Sequence, residues 1–252
     1  MLDYYYIDLY FDPDRASFGK VAEACTKALS AAGCEFRKVV MASADTRQSV
    51  DMEEHVQLSL EDLPAVAEAY AEEMESSGTQ FISFPPLGRI MFHCPFRFDD
   101  SLMDDIHEDE DEARSEAEDL GLVMMYTTSQ EAGRKIKASL SFWEEYVLSH
   151  GKPETHIENM KRVLKIVRAI YDHATPYFGA MNKEIHLDTD LSLTYVIQNK
   201  LPVGNEFAIV GKRFMDRIRT ADIDAAGYRW ASMPDGGIII QFEDKWEGQW
   251  AI

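Results

Sequence analysis

The sequence predicts an α+β protein, and three observations carry that reading. The chain opens on an aromatic and β-branched run, "LDYYYIDLYF", which has the composition of a strand. Strand-like and helix-like segments then alternate in the order β-α-β-β-α-β over about 85 residues. Beyond residue 150, the clearest helix of the chain is followed by short β-rich runs separated by turn residues.

Asp12-Pro13-Asp14 breaks the opening strand and supplies a helix start. From Phe18 the apolar positions Val21, Ala22, Cys25, Ala28 and Leu29 recur at helical spacing, and Gly33 ends the segment. "EFRKVVMAS" predicts the second strand and "EHVQLSL" the third. "SLEDLPAVAEAYAEEMESSG" predicts a helix whose seam is Leu63, Val66, Ala67, Tyr70 and Met74, with acids on the other face. "TQFISF" and, after the turn Pro85-Pro86-Leu87-Gly88, "RIMFHCPFRF" predict the fourth and fifth strands. This order is that of a ferredoxin-like unit with an extra strand.

The expected division is a ferredoxin-like acidic part over 1–125 and a helical hairpin plus mixed α+β part over 126–252. Two parts sharing one sheet is the alternative. "LVMMYTT" predicts a further strand. In "SQEAGRKIKASLSFWEEYVLSHG", Ile136, Leu140, Trp143 and Val147 fall along one helical stripe. In "PETHIENMKRVLKIVRAIYDHA" the seam is Ile157, Met160, Leu164, Val167 and Tyr171, with Lys161, Arg162, Lys165 and Arg168 off it. "EFAIV", "YRWASM" and "GIIIQF" predict late strands around a short helix near Phe214 to Arg219. Asp235-Gly236-Gly237 forms the turn before the last of them.

The 252 residues, 46% of them hydrophobic, are enough to bury a sizeable core. The N-terminus lacks the basic n-region of a secretory signal, and no apolar run is long enough to predict a membrane span. Cys25, Cys34 and Cys94 form no CxxC pair; three buried free thiols in a reduced, cytoplasmic setting are the expectation.

Charge is the most unusual property. The net charge is −20, and residues 1–150 hold 31 acids and 12 bases against 14 acids and 13 bases in residues 151–252. Asp99 to Asp119 alone carries twelve acids against Arg114. Such a field repels nucleic acid and anionic membranes and favours a basic protein partner. As a helix, the run Asp105 to Asp119 would set Asp105, Asp109 and Glu112 near one side. It lacks the alternating ligands and the turn glycine of a calcium loop. The run is therefore either a solvated surface or a partner-binding patch. For the patch, Asp105, Glu108, Asp109, Glu112 and Glu116 are the candidate contacts, accepting charge-assisted hydrogen bonds from Lys or Arg.

No catalytic or cofactor-binding motif stands out. His93 and Cys94 are adjacent on a predicted strand and point to opposite faces, so they form no nucleophile pair. Neither HxxxH nor HExxH occurs, and His156 and His173 do not share a helix face. No GxxxxGK[ST], GxGxxG or GxSxG stretch is present, so no cofactor, metal or catalytic residue is expected. "PDGG" at Pro234 to Gly237 reads as a hairpin turn rather than an anion cradle.

One sequence of landmarks remains: the long helix, "PYFGAMNKE", "LP" before "FAIVGKRFMDRI", and "MPDGGIIIQFED". Over roughly residues 155–245 this order resembles that of small α+β immunity-type proteins from bacterial toxin–antitoxin neighbourhoods. It departs from them in lacking a Trp in "PYFGAMN" and in its acidic N-terminal half. The resemblance implies a non-enzymatic protein that neutralises a toxin by binding it. The rival expectations are an enzyme or small-ligand protein with a site between the two halves, and a structural oligomer subunit.

Overall fold

In the computed structural model of the chain, residues 4–41, 54–55, 58–78, 81–84, 88–96, 119–129, 133–143, 153–183 and 206–242 are described. Among them, one mixed α+β architecture is built on a single sheet. Its strands are β1 (Tyr4–Phe11), β2 (Glu35–Met41), β3 (Glu54–His55), β4 (Phe81–Phe84), β5 (Gly88–His93), β6 (Asp119–Ser129), β7 (Gly133–Trp143), β8 (Phe178–Lys183), β9 (Phe207–Val210), β10 (Arg229–Ser232) and β11 (Ile238–Gln241). The helices are α1 (Phe18–Ala31), α2 (Leu63–Ser77), α3 (Pro153–His173) and the short α4 (Thr220–Ala225). The strand order is β10-β11-β9-β8-β1-β7-β6-β5-β2-β3, with β4 also paired to β6.

The element order of the first 93 residues follows the sequence reading, but the pairing is not that of a ferredoxin-like unit. Strands β7, β6 and β5 lie between β1 and β2, and every described pairing is antiparallel. Four antiparallel steps leave β1 and β2 parallel, so β1-α1-β2 is a crossover split by three strands. β4 and β5 share one edge of β6: Phe84 faces Met124, and Ile90 faces Leu122. That lane advances six residues while β6 retreats two. Pro85 and Pro86, which have no N–H for a ladder, fall within the interval.

Period-two alternation explains which face is buried. Ile7, Leu9 and Phe11 of β1, Ile136, Ala138, Leu140 and Phe142 of β7, and Leu120, Leu122, Met124 and Tyr126 of β6 all belong to one core. Helix α1 lies on that face between α2 and α3. A smaller cluster of Tyr10, Phe178, Val210, Ile218, Ile223, Ile238 and Ile240 forms separately around the C-terminal strands. Among the described residues, no helix is long and apolar enough to cross a membrane.

Two expectations are corrected. The segment read as a helix from Ile136, Leu140 and Trp143 is strand β7. Ala138 and Phe142 complete a period of two in which Lys135, Lys137 and Ser139 occupy the alternate places. A spacing of four residues is common to both periodicities, so the stripe alone did not separate them. The cysteines are likewise not three free thiols. Cys34 and Cys94 form a disulfide, and Cys25 is the remaining buried thiol.

Candidate partner-binding surface

Helix α2 is where the described structure gathers acid. No Lys or Arg occurs between Arg47 and Arg89, while nine acids do. Four of them, Glu68, Glu72, Glu73 and Glu75, are on α2 itself. The helix starts in a local network in which the Ser59 hydroxyl donates to Asp62 Oδ2 at 2.6 Å and accepts the Asp62 N–H at 3.2 Å. Pro64 sits at its first turn, and Gly78 ends it in the left-handed region at φ 69°. Leu63, Ala67, Ala71 and Met74 are buried, with Val66 and Tyr70 packed beside them, as the seam predicts. The opposite face exposes Glu72, Glu73 and Glu75.

Two of the glutamates tie α2 to its neighbours. The Gly19 N–H, in the first turn of α1, donates to Glu68 Oε2 at 2.8 Å. An anion there satisfies an N–H that α1 cannot satisfy internally and meets the positive end of its dipole. The approach needs glycine: a Cβ on Gly19 would meet Pro64 O at 2.5 Å. Farther along, Glu75 accepts hydrogen bonds from the Tyr126 hydroxyl and, at 2.8 Å, from Arg134 Nη1. Arg134 Nη2 also donates to Asp14.

These contacts set the local electrostatics. The Tyr126 hydroxyl, then Arg134, hold the Glu75 carboxyl below the usual carboxylate range. Burial first, and the adjacent Glu75 second, push Tyr126 up to about 12. A cleft of about 210 Å³ opens beside the network, lined by Ser17, Glu68, Glu72, Glu75, Tyr126 and Arg134. It is smaller than the usual range of ligand pockets, roughly 300–1,000 Å³. Of its two hydroxyls, Ser17 Oγ accepts the Lys20 N–H as the α1 cap and that of Tyr126 donates to Glu75. The cleft is thus lined by three glutamates and one arginine, with Glu68 held by the Gly19 N–H and Glu75 by Tyr126 and Arg134.

The candidate contacts Asp105, Glu108, Asp109, Glu112 and Glu116 lie outside the described residues. The strands flanking their run are described: β5 ends at His93 and β6 begins at Asp119, and these two residues are partners in the ladder. Asp119 and Tyr126 are seven residues apart on β6, roughly 23 Å at strand rise. The acidic run thus joins the sheet at one end of β6, and the α2 cleft lies towards the other.

The landmarks after the long helix converge on a second node. Gly211 N–H donates to Tyr177 O at 2.9 Å, and the Arg213 guanidinium lies 3.9 Å from the Tyr177 ring centroid and 4.8 Å from that of Phe214. Arg213 Nη1 also pairs with Asp12 Oδ2 at 2.9 Å. Asp235, in the "PDGG" turn, accepts the Tyr171 hydroxyl at 2.5 Å and the Gly237 N–H at 2.9 Å. A Cβ on Gly211 would meet Pro176 O at 2.9 Å, and one on Gly237 would collide with the Tyr171 hydroxyl. The aromatic, Gly and Asp landmarks are thus explained by packing around adjacent strands β8, β9 and β11.

The sequence matches no family model and no curated protein. Among solved structures, the chain is similar to the Pseudomonas aeruginosa T6SS protein PA0821, with 9% identity and a TM-score of 0.41. The match covers 94% of this chain and 64% of that one, so the chain spans less than two thirds of its length.

Proposed function

We propose that the protein is a non-catalytic binding protein of the immunity type, which engages a basic protein partner through its acidic N-terminal half. The observation that carries this reading is the charge asymmetry, a net of −19 in residues 1–150 against −1 in residues 151–252. Uniform acidity would spread the charge over both parts. Localised acidity steers a cationic surface towards one side and suppresses anionic competitors. A protein that acts on phosphate-bearing substrates presents cations to them, and carboxylates in a patch mimic those phosphates. The exposed glutamates of α2 and the acidic run before β6 supply two such patches.

The test is affinity capture at low and high salt with three proteins: wild type, E108Q/D109N/E110Q/D111N/E112Q, and E72Q/E73Q. The captured partner is then purified and titrated against each by calorimetry. Binding that weakens with salt and in at least one acidic variant, with no turnover, is the expected result. A partner bound equally by all three proteins at both salt concentrations would overturn the reading.

A further inference from the structure

The two cysteines of the disulfide are brought together by two independent features of the backbone. Cys34 follows Gly33, whose φ of 85° places it in the left-handed region just past α1. The Cys34 N–H donates to Leu29 O at 3.0 Å, closing the turn that fixes where the cysteine starts β2. On the other side, Glu35 pairs with His93 at the end of the β2–β5 ladder. One further step of that register sets Cys34 opposite Cys94, with Cα atoms 4.2 Å apart. Both residues are buried, at 6% and 1% exposure. Cys25 is also buried, and burial pushes its thiol up to about 12, so it offers little thiolate to compete for either partner.

We propose that the Cys34–Cys94 bond is a structural staple, and that the protein works in an oxidising compartment. The bond forms by thiol–disulfide exchange with a disulfide oxidant, such as an oxidoreductase or oxidised glutathione. One cysteine thiolate attacks an oxidant sulfur and releases a thiol, and the second cysteine then displaces the other half. The two cysteines lose two protons and two electrons, and the oxidant's disulfide gains both as two thiols. The sequence expectation of a cytoplasmic setting rested on three free thiols, and the disulfide removes that ground. The staple spans 60 positions and encloses β2, β3, α2, β4 and β5. It therefore closes the stretch of chain that carries the acidic helix.

The experiment uses the full chain refolded in a glutathione redox buffer. Under denaturing, non-reducing conditions, alkylation is expected to label Cys25 alone, and peptide mapping to recover Cys34 joined to Cys94. Label on all three cysteines, or a bond involving Cys25, would overturn the proposal. The oxidised native protein is then held in millimolar reduced glutathione. Retention of the bond for hours is expected, whereas reduction with the fold unchanged would sink the idea of a staple. C34S/C94S is expected to raise the unfolding equilibrium constant roughly a thousandfold, the size of the loop-closure effect for a span of this length. An unfolding midpoint equal to that of the oxidised wild type would overturn it as well. C25S serves as the control and is expected to retain the bond.

Discussion

Gly19→Ala sets two effects of opposite sign against each other, and the structure decides between them. In a free helix, alanine is favoured over glycine by up to about 1 kcal/mol, and less at a first-turn position such as this one. Here the new Cβ would stand 2.5 Å from Pro64 O and 2.8 Å from Glu68 Oε2. Glu68 can swing aside, but only by giving up its bond from the Gly19 N–H. Pro64 O is backbone, so α1 and α2 must separate. Overpacking of this kind costs about 1–3 kcal/mol. A net loss of about 1–2 kcal/mol follows, which for a chain of this size lowers Tm by roughly 3–6 °C. Urea unfolding of the two proteins, followed by circular dichroism, measures it. A G19A midpoint equal to or above wild type, at an unchanged denaturant slope, would show that the helices do not meet at Gly19.

Other expectations bear on the remaining contacts. Gly237→Ala places a Cβ against the Tyr171 hydroxyl and should destabilise by about 1–3 kcal/mol, read as a lower urea midpoint. Because the folded pKa of Glu75 is depressed, its contribution to stability is present above the unfolded carboxylate pKa and is lost as pH falls through the folded value. E75Q should therefore flatten the acid limb of a stability–pH profile, and an unchanged limb would count against the Tyr126–Glu75–Arg134 network. Tyr126 has the opposite shift, so the unfolded chain releases this proton first and stability falls between about pH 10 and 12. Y126F should remove that fall, as measured by denaturant titration across the alkaline range. Arg213→Ala should cost about 1–2 kcal/mol through the lost ring contacts and the half-buried ion pair, and high salt should leave most of the loss in place.

What could be read from the sequence was local. The seams of α2 and α3 and the late strands β9, β10 and β11 follow from periodicity and turn chemistry within one segment. Strand β7 was obscured by a spacing common to both periods, and the other features that were missed depend on register between segments. Cys34 and Cys94 meet only because β2 pairs with β5, and neither spacing nor count announces that. Glu75, Tyr126 and Arg134 come from α2, β6 and β7, and Tyr126 and Arg134 are neighbours through the β6–β7 ladder. A signal for the acidic surface was present in the base-free stretch from Arg47 to Arg89, but its nine acids are interrupted by a helix seam. Contiguous charge is therefore densest in the run before β6, while the acids of α2 stand out only as the face opposite its seam.

The split crossover also governs the order in which the chain can be completed. Strand β1 is made well before both of its neighbours in the sheet, β7 and β8. More than a hundred residues separate Phe11 from Gly133. At ordinary rates of translation that is a wait of roughly ten seconds before either edge of β1 finds its partner. During that time "YYYIDLYF" presents apolar side chains and two unpaired edges to everything nearby. Such non-local pairing makes for slow folding, and the nascent protein depends on whatever shields its opening strand until the ribosome has delivered β7.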